Sequence, residues 1–128
     1  MKPIIKTVLC FGNEYIKEDA LAKEIADELK IENVRFVKCD DLNQILDYKN
    51  ENLFILDVAE GISKIEIIKD IDKIKTKNIT SLHDFDLGYF LKLMKEIGKL
   101  KAINIIAIPI GMDKEKAKKE LKSIFQKI

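Results

Sequence analysis

Residues 4 to 29 read IIKTVLCFGNEYIKEDALAKEIADEL, and the change of rhythm inside this stretch decides the fold. Ile4 to Phe11 is a compact, β-branched apolar run closed by Gly12, the pattern of a buried strand. From residue 18 to residue 30 the apolar positions recur instead at Ala20, Leu21, Ile25, Ala26 and Leu29, one face of a helix. Strand, glycine turn and amphipathic helix together open an alternating β/α chain. The acidic pair Glu18-Asp19 falls where the helix begins, and acids in a first turn gain about 0.3 to 1 kcal/mol each from the helix dipole. Dipole chemistry alone accounts for such a pair, so any further role depends on what the rest of the chain brings to the same place.

The alternation continues. Val34 to Val37 predicts a second strand, ending in Lys38-Cys39-Asp40-Asp41, with Asp41 positioned to cap a short helix from Leu42 to Asp47. NLFILDVA, residues 52 to 59, is a third strand, apolar until Asp57 interrupts it. Residues 64 to 69 are a weaker strand, and the polar DKIKTKN that follows reads as loop. Asp84 or Asp86 is positioned to cap a helix from about Leu87 to Ile97, stopped by Gly98, with Leu87, Phe90, Leu91 and Met94 as its buried stripe. AINIIAIPI, residues 102 to 110, is the last buried strand, and Lys114 to Lys127 closes the chain as a helix with Ala117, Leu121, Ile124 and Phe125 inward. This order predicts a three-layer α/β fold: a twisted, mostly parallel sheet of about five strands with helices on both faces. The length of 128 residues suits one domain spanning 1–128.

Composition narrows the function classes. Twenty-three basic and 22 acidic residues leave a net charge of +1, so no overall field draws the protein to nucleic acid or anionic lipid. No run of about 18 apolar residues predicts a membrane span, and the N-terminus lacks the apolar core and small-residue cleavage site of a signal peptide. Two cysteines, Cys10 and Cys39, form neither a disulfide framework nor a C-x-x-C pair, which points to a reduced, cytoplasmic setting.

In open α/β sheets ligands bind beyond the carboxyl ends of the strands, where the strand order reverses. That rule gathers the Gly12-to-Asp19 segment, Asp57 and the loop carrying His83, the only histidine. Asp57 is the most informative of these, because a carboxylate in an apolar strand is costly to bury unless paired, hydrogen-bonded or bound to a cation; a strand-end turn acid is the plainer alternative. One imidazole and two carboxylates form a donor set suited to a divalent transition metal with open positions, without naming the metal. Other motifs are missing. Gly12-Asn13 lacks both nucleotide fingerprints, and Ser63 and Ser81 sit in no G-x-S-x-G elbow. Cys10 and Cys39 read as core, although a thiol nucleophile served by His83 is an alternative.

The segments LCFGNEYIKEDALAKEIADEL, NLFILDVAEG and SLHDFDLGYFLKLMKEIG, in that order, resemble the nickel-iron hydrogenase maturation proteases. The resemblance implies an endopeptidase that trims the C-terminal extension from the precursor of a hydrogenase large subunit. It implies Asp19, Asp57 and His83 as the metal-binding and catalytic residues, and Gly12, Asn13 and Asp40 as substrate-binding ones. The nickel is implied to arrive in the precursor rather than to be held permanently, so that cleavage reports completed metallation. The attacking water is activated either by a carboxylate acting as general base or by metal polarisation of the scissile carbonyl. The chain departs from the family pattern at Ala20, Leu21 and Ala22, at KCDDLNQ after the second strand, and in short segments between residues 59 and 83. Two other readings stay open: a non-cutting relative that binds the nickel-loaded precursor as checkpoint or chaperone, and a doubly wound domain binding a small anion at the first loop.

Overall fold

A computed structural model of the chain describes residues 5–12, 15, 20–48, 52–69, 81, 82, 92, 96, 98 and 104–128. Within them run β1 (Lys6–Cys10), α1 (Leu21–Glu28), β2 (Val34–Lys38), a 3-10 helix (Leu42–Tyr48), β3 (Asn52–Glu60), β4 (Glu66–Ile68), β5 (Ser81–Leu82), β6 (Asn104–Pro109) and α2 (Lys114–Lys127). The sheet has the order β2-β1-β3-β6-β4, with β5 attached to β3. Pairings β1–β2, β1–β3 and β3–β6 are parallel, while β4 and β5 join antiparallel. The sheet is thus mostly parallel, as the alternation predicts. From β1 the chain steps outward to β2 and then returns to β3 on the other side of β1. That reversal makes the gap between the carboxyl ends of β1 and β3 the switch point.

Strand alternation divides the core between two faces. Val8, Cys10, Phe54, Leu56, Ile106 and Ile108 point to the face covered by α1 and α2. The stripe of α1, Leu21, Ala22, Ile25, Ala26 and Leu29, is buried there. On α2, Ala117 and Leu121 are fully buried, and the Phe125 ring meets Phe54 and Phe36 edge-on at centroid distances of 5.4 and 6.2 Å. Such pairs add about 0.5 to 1.5 kcal/mol to their area burial. Asp113 caps α2, its carboxylate accepting from Lys116 N at 3.0 Å. The opposite face buries Leu9, Phe11, Leu53, Ile55 and Ile105 against Ile45 of the 3-10 helix.

Several elements differ from the sequence reading in detail. The short helix expected after β2 is of the 3-10 kind and reaches Tyr48, and it starts with Gln44 reaching back: its Oε1 accepts from Asp40 N and Asp41 N at 2.7 and 2.9 Å. A glutamine at the third helical position capping the entry in this way is half of a capping box. β3 ends at Glu60, one residue past the expected 52 to 59, and Ser81 belongs to a short strand rather than to a loop. Lys92 and Glu96 are helical and Gly98 follows at φ +73°, in line with the expected helix and its stop. The buried stripe expected for that helix, and the start of the first helix at Glu18-Asp19, lie outside the described residues.

Candidate functional site

The carboxyl edge is built where β1 ends. Phe11 N donates to Leu56 O at 3.0 Å, one residue beyond the last β1–β3 pair, Cys10 with Leu56. Gly12 then takes φ +139°, a conformation a side chain rarely tolerates, and the chain leaves the sheet. β3 does not end there. It continues beside β6, with Asp57 opposite Ala107 and Ala59 opposite Pro109, and from Ala59 onward it pairs with β5. Since β6 occupies one flank of β3, β5 lies on the flank that β1 has left. That flank therefore changes partner at Asp57-Val58.

Asp57 sits at this change and is fully buried. By alternation its side chain shares the face of Leu53, Ile55 and Ala59. Its Oδ1 accepts from Val58 N at 2.9 Å. In a strand the N–H and C=O of one residue point to the same flank. Leu56 O faces β1, so Val58 N faces the flank where β1 has ended, and the carboxylate turns to meet it there. A buried carboxylate at the switch point, oriented by a backbone N–H, is what the sequence singled out.

Two strands away the end of β2 carries a second polar group. Lys38 is level with Cys10 and hence with Leu56, and Asp40 follows two residues later in a bend at the same carboxyl edge. Asp40 is exposed, yet its Oδ1 takes the ammonium of Lys23 from α1, whose side chain is only 5% exposed. The Lys23 hydrogen bond and charge hold the Asp40 carboxyl below its usual range. Sequence reading missed Lys23, because at its position a lysine reads as part of the solvated face of the helix.

The thiols are core groups. Cys10 and Cys39 are buried and free, on opposite faces of the sheet. Burial pushes the Cys39 thiol up to about 11, against the opposing charge of Lys23. Burial pushes Cys10 higher still, with Cys39 and Asp57 adding to it. Thiols so far from ionising at neutral pH are poor nucleophiles, which disfavours the thiol alternative.

Of the residues singled out from sequence, Gly12, Asp40 and Asp57 stand at one edge of the sheet, while Asn13, Asp19 and His83 lie outside the described residues. Among the described residues no three His, Cys, Asp or Glu side chains gather into a metal-binding group. Nor is any helix among them long and apolar enough to cross a membrane.

Sheet order, switch point and buried edge carboxylate define the class: a doubly wound α/β domain. Within that class the chain shares the fold of hydrogenase maturation endopeptidases. It is similar to the hydrogenase maturating endopeptidase HybD from Escherichia coli, at 16% identity over 95% of this chain and 90% of that one, with a TM-score of 0.63. The endopeptidase HycI from Escherichia coli aligns at 20% identity over 94% and 88%, TM-score 0.65. The [NiFe] hydrogenase maturation protease HycI from Thermococcus kodakarensis aligns at 21% identity over 93% and 89%, TM-score 0.58. No protein-family profile and no curated protein sequence matches the chain.

Proposed function

We propose that the protein is an endopeptidase that recognises nickel in the precursor of a [NiFe] hydrogenase large subunit and removes the C-terminal extension. The observation that carries this reading is Asp57: a buried carboxylate, oriented by Val58 N, at the point where one flank of β3 passes from β1 to β5. The likeness in fold to maturation endopeptidases supports it.

Asp19 and His83 complete the donor set in this proposal, and chain connectivity supports both. Asp19 adjoins Ala20, buried at the start of α1, whose first turn is tied by Lys23 to Asp40 at the end of β2. His83 adjoins Leu82, paired with Ala59 two residues beyond Asp57. Each is one peptide link, about 3.8 Å between Cα atoms, from a residue of the carboxyl edge. Two carboxylates and an imidazole neutralise a dication and leave its remaining positions to the precursor's own ligands. The metal is cargo of the substrate. The protein's part is to read it, with Asp57 held in one rotamer, and to fix the adjoining polypeptide along Gly12, Asn13 and Asp40.

Complex formation tests the reading. Wild type is expected to retain nickel-loaded precursor on size-exclusion chromatography and to release nickel-free precursor, whereas Asp57→Asn retains neither. Equal retention of both precursors by wild type contradicts it.

A further inference from the structure

Lys23 is a buried cation for which stability offers a poor explanation. Its side chain is 5% exposed while that of its partner Asp40 is 85% exposed. Its charge also opposes the rise of the Cys39 and Cys10 thiols. Removing an ammonium from water costs several kcal/mol, a cost that an ion pair with so exposed a partner repays poorly. What the pair does supply is geometry. Asp40 N and Asp41 N are tied to Gln44 Oε1, Cys39 N to Cys10 O at 2.9 Å, and Asp40 Oδ1 to Lys23. The carboxylate is thus fixed through its backbone and one oxygen, yet open to solvent.

We propose that Lys23 is a positioning residue for substrate: it fixes Asp40 so that the carboxylate accepts a backbone N–H of the polypeptide bound along the carboxyl edge. Lys23 already balances the charge, which suits Asp40 to a neutral amide donor better than to a free cation. This inference rests on the endopeptidase reading.

The test uses nickel-loaded large-subunit precursor with wild type, Lys23→Met, Asp40→Ala and the double variant. Loss of a charge-assisted hydrogen bond is expected to raise KM about tenfold in each single variant, leave kcat within about twofold, and add nothing further in the double variant. If wild type binds without cutting, the same ratios are read in Kd. Lys23→Met is expected to melt at or above the wild-type temperature. A wild-type KM in either single variant overturns the proposal, as does a Lys23→Met that loses kcat and thermal stability together. Wild type that neither binds nor trims the precursor refutes the endopeptidase reading, and this inference with it; functional wild type with unaffected variants refutes this inference alone.

Discussion

Val58 N donates to Asp57 Oδ1 at 2.9 Å on the flank of β3 that β1 has just left. The bond gives one carboxylate two duties in the proposed function, accepting from the strand's own backbone and carrying the charge that reads the metal. The two duties separate by substitution. Asp57→Asn keeps an oxygen for Val58 N but loses the charge; Asp57→Ala loses both. Urea unfolding is expected to find Ala about 1 to 2 kcal/mol less stable than Asn, the worth of a buried hydrogen bond and the lost packing. Equal stability of the two contradicts the orienting role of the bond.

Protonation competes with metal at an imidazole. His83 is the only one in the chain, so no other histidine can substitute for it. Free imidazole takes up its proton at about pH 6.5, so if His83 is a ligand, affinity for nickel-loaded precursor is expected to weaken as pH falls below roughly 6. His83→Ala is expected to abolish processing while metal-free stability stays within about 1 kcal/mol of wild type. Nickel-dependent processing retained by His83→Ala contradicts its ligand role.

The fold was legible wherever burial wrote a period into the sequence. Val8 to Phe11 and Ile105 to Ile108 are buried on both faces and read as continuous apolar runs, and α1 and α2 carry one apolar stripe each. Asp57 stood out because it breaks such a run. β5 did not: two residues carry no period, and its pairing to Ala59 and Glu60 depends on a distant strand. β3, expected over 52 to 59, ends one residue later at Glu60, with β6 and β5 supporting its end after β1 has left. Lys23 was invisible because its ion-pair partner, Asp40, is 17 residues away.

Between the two helices, Lys114 bonds Glu28 at 2.8 Å and Lys118 bonds the same carboxylate at 3.3 Å. The Lys114 hydrogen bond lowers the Glu28 pKa, and the same bond raises that of Lys114. A depressed carboxylate contributes stability above its unfolded pKa and loses it as pH falls through the folded value. A raised lysine contributes below its unfolded pKa and loses it as pH rises through the folded value. Glu28→Gln is therefore expected to flatten the acid limb of a melting-temperature profile below the ordinary glutamate range, and Lys114→Met the alkaline limb. Both effects are small and shrink with salt, because the groups are exposed. Unchanged limbs at low ionic strength contradict the assignment.

Burial sets the reactivity of the thiols. With Cys39 pushed up to about 11 and Cys10 beyond it, neither thiol of the native protein is expected to react with a thiol-specific chromogenic reagent at neutral pH. Both are expected to react on unfolding. A Cys10→Ala, Cys39→Ala double variant that lost processing while remaining folded would show that a thiol takes part in the chemistry.

The central claim is that nickel in the precursor licenses the cut. It is tested most directly by incubating the protein with the cognate large-subunit precursor in nickel-loaded and nickel-free forms, and following the intact mass of the large subunit. The account predicts a single truncation at the C-terminus in the nickel-loaded sample, none in the nickel-free sample, and none in either with Asp57→Asn. Truncation of the nickel-free precursor at the same rate, or an unchanged mass for the nickel-loaded one, contradicts it.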